Sequence, residues 1–170
     1  MAYKKEVGDV MEKVLVGSIV KTHGIKGEIR ILSHFPFKDN VFQIGNRILI
    51  DDIEYKIMSH RVHKGFDMIT LEEYSNINDV LFLMKKDVYY DKEKLDLDDD
   101  EVLDEDLIHY TVLTKAGQKG MIKEIFYASE ENKILRVELD HEVLIPMHSP
   151  MIIKIDKEKK CILIDLIEGM

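Results

Sequence analysis

The chain reads as mainly β, two small β-barrels joined by an acidic linker. Three observations predict this. Short runs of β-branched and aromatic residues recur between turn residues along the whole chain, and only one stretch carries helical periodicity. Residues 96–106, Asp-Leu-Asp-Asp-Asp-Glu-Val-Leu-Asp-Glu-Asp, hold eight acids and no base, and a run of like charge resists packing into a core. After that run the strand-and-turn pattern starts again in a more compact form. The 170 residues then divide into an N-terminal tail (1–12), a first barrel (13–95), the linker (96–106) and a second barrel (107–170).

Strands of the first barrel are expected near 14–20, 28–34, 46–51, 53–62, 66–71 and 86–90, with turns at Asp51-Asp52 and His63-Lys64-Gly65. Phe35-Pro36-Phe37 to Phe42 reads as a loop or a short helical turn. Ile77, Val80, Leu81 and Met84 recur at helical spacing behind Asn76, which predicts one amphipathic helix over 76–85. Lys85 and Lys86 suit its C-terminal dipole. In the second half, strands fit 110–114, 119–127, 133–139, 142–146, 151–155 and 161–166. The breaks are Lys115 to Gln118, Ser129 to Asn132, Asp140-His141, His148-Ser149-Pro150 and Asp156 to Lys160. Pro146 ends a strand, where its missing N–H costs no central ladder bond. Many short strands with little helix favour small antiparallel barrels. At about 64 residues the second is close to the lower size at which a core is self-sufficient.

A net charge of −9 argues at first against nucleic acid, but its distribution matters more. Residues 1–95 hold 15 bases and 15 acids, so nearly all the acidity belongs to the linker. Within 13–64 there are nine bases against five acids, with four of the seven histidines. That basic region contains Lys21-Thr22-His23-Gly24-Ile25-Lys26-Gly27-Glu28-Ile29-Arg30, set between two apolar β-branched runs. The decapeptide reads as a strand–loop–strand unit whose glycines permit positive φ and close approach. It is either a plain turn or a cationic contact surface. Phosphate contacts by Lys21, Lys26 and Arg30 would give a salt slope of only roughly −2 on single strands. The loop could therefore be one part of an RNA interface but could not sustain one alone.

Other chemistry is sparse. The single cysteine, Cys161, excludes an internal disulfide and a multi-cysteine metal site, and its alternating surroundings predict a buried strand residue. His60 and His63 lie three apart on an expected strand and so face opposite sides, which disfavours a shared metal ion. Asp96, Asp98 and Asp100 fit the start of a calcium loop, but Glu101 and Leu107 stand where glycine and glutamate are required. No nucleophile elbow, P-loop or dinucleotide fingerprint occurs, and Ser33-His34 and His148-Ser149 lack a third partner. No metal and no cofactor is expected. No apolar run approaches the roughly 18–20 residues that span a bilayer. The N-terminal MAYKKEVGDVMEKV lacks an apolar signal core, so no membrane association and a cytoplasmic location are expected.

The segment Val16-Gly17-Ser18-Ile19-Val20 followed by His23-Gly24-Ile25-Lys26-Gly27-Glu28 is similar to the V-G-x-I-x-x-x-H-G-[IL]-x-G-E signature of the bacterial RimM family of ribosome maturation factors. Arg61, Gly65 and Asn78-Asp79 are similar to the ending of that family's first domain. Asp106-Leu107-Ile108, Val112, Gly117, Gly120, Val143-Leu144-Ile145-Pro146, Asp156 and Glu168-Gly169 resemble a PRC-barrel. The resemblance covers residues 13–170. It implies a translation-factor-like six-stranded barrel joined to a PRC-barrel, in a non-enzymatic, monomeric assembly chaperone. Such a protein would bind the immature 30S subunit head, through the small-subunit ribosomal protein uS19 and 16S rRNA. Two departures stand out. Val102-Leu103 replaces the family's aromatic pair before the second domain, and His109 replaces a glycine.

On this reading Lys21, His23, Gly24, Lys26, Gly27 and Arg30 form the contact loop of the first barrel, assisted by Arg61 and His63. Val102, Leu103, Asp104, Glu105 and Asp106 form a second surface that meets the basic ribosomal protein. A stand-alone RNA-binding barrel, or a flavin-binding reductase-like barrel, is the alternative.

Overall fold

A computed structural model describes residues 11–24 and 26–170. Most of the expected N-terminal tail, together with Ile25 of the glycine-bearing turn, lies outside the described residues. The chain forms two compact units, Met1–Asp96 and Leu97–Met170.

The first unit is a closed barrel of β1 (Lys13–His23), β2 (Glu28–Leu32), β3 (Arg47–Ile50), β4 (Ile53–His63), β5 (Phe66–Leu71) and β6 (Asp87–Asp91). The strand order is β1-β2-β5-β4-β3-β6, and β6 returns to β1 to close it, which removes free edges. Closure depends on the long β1, which pairs with both β2 and β6 and shifts register at bulges near Leu15/Gly17 and Ile19/Lys21. Gly17 is required at the first bulge, because a Cβ there would lie 2.8 Å from Ile31 and 2.9 Å from the Leu32 carbonyl. The interior is filled by β-branched residues, among them Ile19, Ile29, Ile31, Ile48, Ile50, Ile57 and Ile69. Val41 and Phe42 after the short helix α1 (Lys38–Val41) close one part of that core. Asp67 is a buried carboxylate, held by His60 Nε2 at 2.8 Å and Lys38 Nζ at 3.2 Å.

The helix expected over 76–85 is shorter and tighter. Asn76 caps α2 (Ile77–Val80) by accepting from the Asn78 N–H at 2.8 Å, and a 3-10 turn, Leu81–Leu83, follows directly. With three residues per turn, Val80 and Leu83 share the inward side. Leu81, expected in the apolar stripe, is exposed instead.

The second unit is a six-stranded sheet of β7 (Thr111–Thr114), β8 (Lys119–Ser129), β9 (Asn132–Glu138), β10 (Glu142–Pro146), β11 (Ile152–Asp156) and β12 (Cys161–Ile164). Its order is β10-β9-β8-β7-β12-β11, with β10 and β11 as the end strands. All six strands contribute to one core, so the sheet wraps around it as a barrel wall does. Among the described residues the only parallel pair is β12 with β7, which brings the last strand of this sheet beside its first. Cys161, expected to be buried, is half-buried at the start of β12.

The acidic segment 96–106 is not a separate solvated linker. From Leu97 the chain belongs to the second unit. Val102 and Leu103 are buried, and a third helix, α3 (Asp104–Leu107), follows and buries Leu107. Apolar burial outweighs the like-charge repulsion because several acids gain local partners. Asp104 Oδ1 accepts from Lys133 Nζ at 2.7 Å, and its Oδ2 accepts from the Tyr127 hydroxyl at 2.5 Å. The Glu101 carboxylate accepts from the Asp98 N–H at 3.0 Å, and the Asp98 main-chain carbonyl accepts from Lys157 at 2.6 Å. Among the described residues no helix is long and apolar enough to cross a membrane.

Candidate functional site

Side chains alternate across a strand, and register partners on neighbouring antiparallel strands point to the same side. Lys21 pairs with Arg30, Arg30 with Met68, and Met68 with Arg61. These four define one row across β1-β2-β5-β4. His23 with Glu28 on β1-β2 lie in the row on one side of it, level with Thr70, and His63 with Phe66 on β4-β5 lie in the row on the other side. The cations expected on a loop therefore stand mostly on a strand face, with only Gly24, Lys26 and Gly27 in the turn itself.

Twist brings distant members of this face together. The His23 and His63 rings are 6.0 Å apart although β2 and β5 separate their strands. Arg30 NH2 lies 3.4 Å from His23 Nδ1, and its guanidinium sits 5.0 Å from the centre of the Phe66 ring. Its Nε finds no hydrogen-bond acceptor among the described residues. Arg61 donates twice to Glu28, from Nε at 2.9 Å and from NH2 at 2.7 Å. That fork holds the Glu28 carboxyl below its ordinary range. Local burial, then the positive charges of Arg61, Lys64, His23 and Arg30, hold the His63 imidazole below its ordinary value. His60, by contrast, turns to Asp67 and stacks 6.2 Å from Phe42, so the two histidines serve different surroundings. Among the described residues no group of three or more His, Cys, Asp or Glu could hold a metal ion.

Gly27 differs from Gly24. Both have positive φ, +77° and +68°, but Gly27 is buried against the chain at Tyr74 and Asn76. A Cβ on Gly27 would lie 2.9 Å from each of those carbonyl oxygens, whereas Gly24 faces open space. The turn is thus clamped on one side, and Lys26 projects from it, exposed.

The proposed second surface is only partly available. Val102 and Leu103 are core residues, and Asp104 is engaged by Lys133 and Tyr127. Glu105 is exposed and Asp106 half-buried. Phe66, Glu28 and Lys64 were not singled out from sequence. Alternation along β5 places Phe66 on the side opposite the core residues Ile69 and Leu71, and that was the signal available for Phe66.

A closed barrel bearing a cationic strand face, followed by a second wrapped sheet, defines a two-unit β protein. The family model of the RimM N-terminal domain matches residues 14–95. The ribosome maturation factor RimM of Staphylococcus aureus is 36% identical over 165 residues, covering 93% of this chain and 98% of that protein. Two solved structures are also similar. A 16S ribosomal RNA processing protein RimM from Pseudomonas aeruginosa has 18% identity and a TM-score of 0.46, over 94% of this chain and 100% of that one. The N-terminal domain of RimM from Thermus thermophilus has 16% identity and a TM-score of 0.45, over 51% of this chain and 98% of that one. The chain belongs to the RimM family of ribosome maturation factors.

Proposed function

We propose that this chain is an assembly chaperone of the small ribosomal subunit. It binds the immature 30S head through 16S rRNA and the ribosomal protein uS19, and so assists 16S rRNA processing and head assembly. The observation that carries this reading is the face built by Lys21, His23, Arg30 and His63 beside the exposed Lys26 of a clamped turn, in a chain of this family. Such a face attracts phosphate and orients the barrel on RNA without reading sequence. Arg61 acts behind it, as the residue that neutralises Glu28 and keeps the carboxylate from repelling RNA. The second unit meets the basic ribosomal protein near Glu105 and Asp106, where charge speeds and orients encounter.

The protein makes and breaks no bond. It acts as a monomer in the cytoplasm, and it shifts the immature subunit toward the conformation it binds better. Sedimentation of the purified chain with immature and mature subunits tests this. Preferential association with immature particles is expected, and equal association with both would overturn the chaperone reading. Lys26→Glu is expected to weaken capture, and unchanged capture would remove the turn from the interface.

A further inference from the structure

We propose that Phe82, buttressed by Tyr74 and flanked by Leu81, is a stacking platform for one unpaired base of the RNA that the cationic face holds. The proposal rests on the RNA-contact reading above.

Phe82 is 53% exposed and its neighbour Leu81 47%. The 3-10 turn produces this: it commits Val80 and Leu83 to the core and leaves the two intervening side chains outside. Phe82 is nevertheless well supported. Its ring centre lies 6.2 Å from that of Tyr74, and Tyr74 lies 5.5 Å from Tyr55, which is buried. Three rings thus run from the barrel wall to the surface, and the outermost presents its large apolar surface to solvent.

The chemistry around the platform favours nucleic acid over a second apolar surface. The Gly27 backbone lies against the carbonyls of Tyr74 and Asn76, so the exposed Lys26 emerges from the segment packed on Tyr74. On the other side the chain leaves the turn through Lys85, exposed at φ +64°, whose N–H donates to the Ile19 carbonyl at 2.9 Å, two residues before Lys21. Lys21, Lys26 and Lys85 are therefore carried by the segments adjoining Phe82, against two exposed carboxylates, Asp79 on α2 and Asp87 at the start of β6. Beyond Tyr74 and Tyr55 a shallow recess mixes Arg47 and Lys56 with Glu54, Glu72 and Glu73, which directs a phosphate chain toward the lysine side. An exposed ring with cations about it is the arrangement that binds single strands, bases on the ring and phosphates on the cations. The apolar patch, two side chains wide, matches one base.

The test uses the full chain and a single-stranded oligoribonucleotide of about ten nucleotides carrying 2-aminopurine, read by anisotropy and by quenching of the fluorescent base. Phe82→Leu keeps the apolar bulk but removes the aromatic face. It is expected to weaken binding about fivefold or more and to abolish quenching, while Phe82→Trp restores both. Urea unfolding of each variant checks that the fold is unchanged. Wild-type affinity and quenching in Phe82→Leu, with binding still weakened by Lys26→Glu, would overturn the platform and leave the RNA contact standing. If the wild-type chain captures neither this RNA nor immature subunits, both fall together. Loss of uS19 capture by Phe82→Leu with RNA binding intact would make the patch a protein-docking site and also overturn the proposal.

Discussion

Arg61 on β4 grips Glu28 on β2 through a two-point fork that reaches across β5. The pair sits among His23, His63 and Arg30, so its state sets the net charge of the cationic face. Glu28 is largely covered while Arg61 is half-exposed. Arg61→Ala is expected to lower stability modestly, because the exposed guanidinium is screened by solvent. It should also return the Glu28 carboxyl toward its ordinary pKa. Because the fork lowers that pKa in the folded state, its stabilisation is present above the unfolded carboxylate value and is lost as pH falls through the lowered one. Urea unfolding at neutral and acid pH, wild type against Arg61→Ala, measures this. A difference between the two that persists undiminished at acid pH would contradict it.

Gly24 and Gly27 should respond differently to one added methyl group. Each requires positive φ, which costs an alanine about 1 kcal/mol. Gly27→Ala must in addition push back the Tyr74 and Asn76 carbonyls, so a loss of roughly 2 kcal/mol or more is expected. Gly24→Ala should show only the backbone cost. Thermal or urea unfolding of the two variants decides it, and equal losses would mean that the contact with Tyr74 and Asn76 yields without strain.

Most strands were legible because their code is local: alternation between turn residues placed β4, β5 and β10 within a residue of where they lie. The cationic residues were also legible, but not their setting. Lys21 and His23 lie beyond the strand expected over 14–20 because the turn chemistry of Gly24 and Gly27 masks how far β1 runs, whereas Arg30 lies within the expected second strand. The Arg61–Glu28 fork and the His23–His63 approach depend on twist across non-sequential strands, which no window of sequence contains. The acidic segment misled for the opposite reason. Eight charges in eleven residues hid two apolar side chains that the second core needs. Leu81 changed sides because helical spacing assumes 3.6 residues per turn, and the chain there winds at three.

Burial of Val102 and Leu103 makes the acidic segment a structural part of the second unit. Leu103→Ala is expected to cost about 2–4 kcal/mol, as for other large-to-small core changes. Asp104→Asn removes the carboxylate partner of Lys133, whose side chain is only 12% exposed, and should cost on the order of 1–2 kcal/mol. Chemical unfolding of both variants tests this. If Leu103→Ala left stability intact and only weakened uS19 capture, the residue would be a contact and not a core element.

His63 should make RNA binding pH-dependent. In the free protein, burial and the charges of Arg61, Lys64, His23 and Arg30 hold its imidazole below the ordinary value. A phosphate placed on the same face offsets those repulsions and favours the imidazolium, so binding takes up protons. Affinity is therefore expected to rise as pH falls from about 8 toward 6, and His63→Gln should flatten that slope. Stability carries the opposite sign. A lowered imidazole pKa stabilises the fold fully above the unfolded histidine value, and that contribution fades as pH falls through it toward the folded value. RNA should thus bind more tightly over the interval in which the free barrel weakens. Proton NMR titration of the His63 ring, with and without RNA, reads both effects. A pKa that RNA leaves unmoved would place the phosphate away from this histidine.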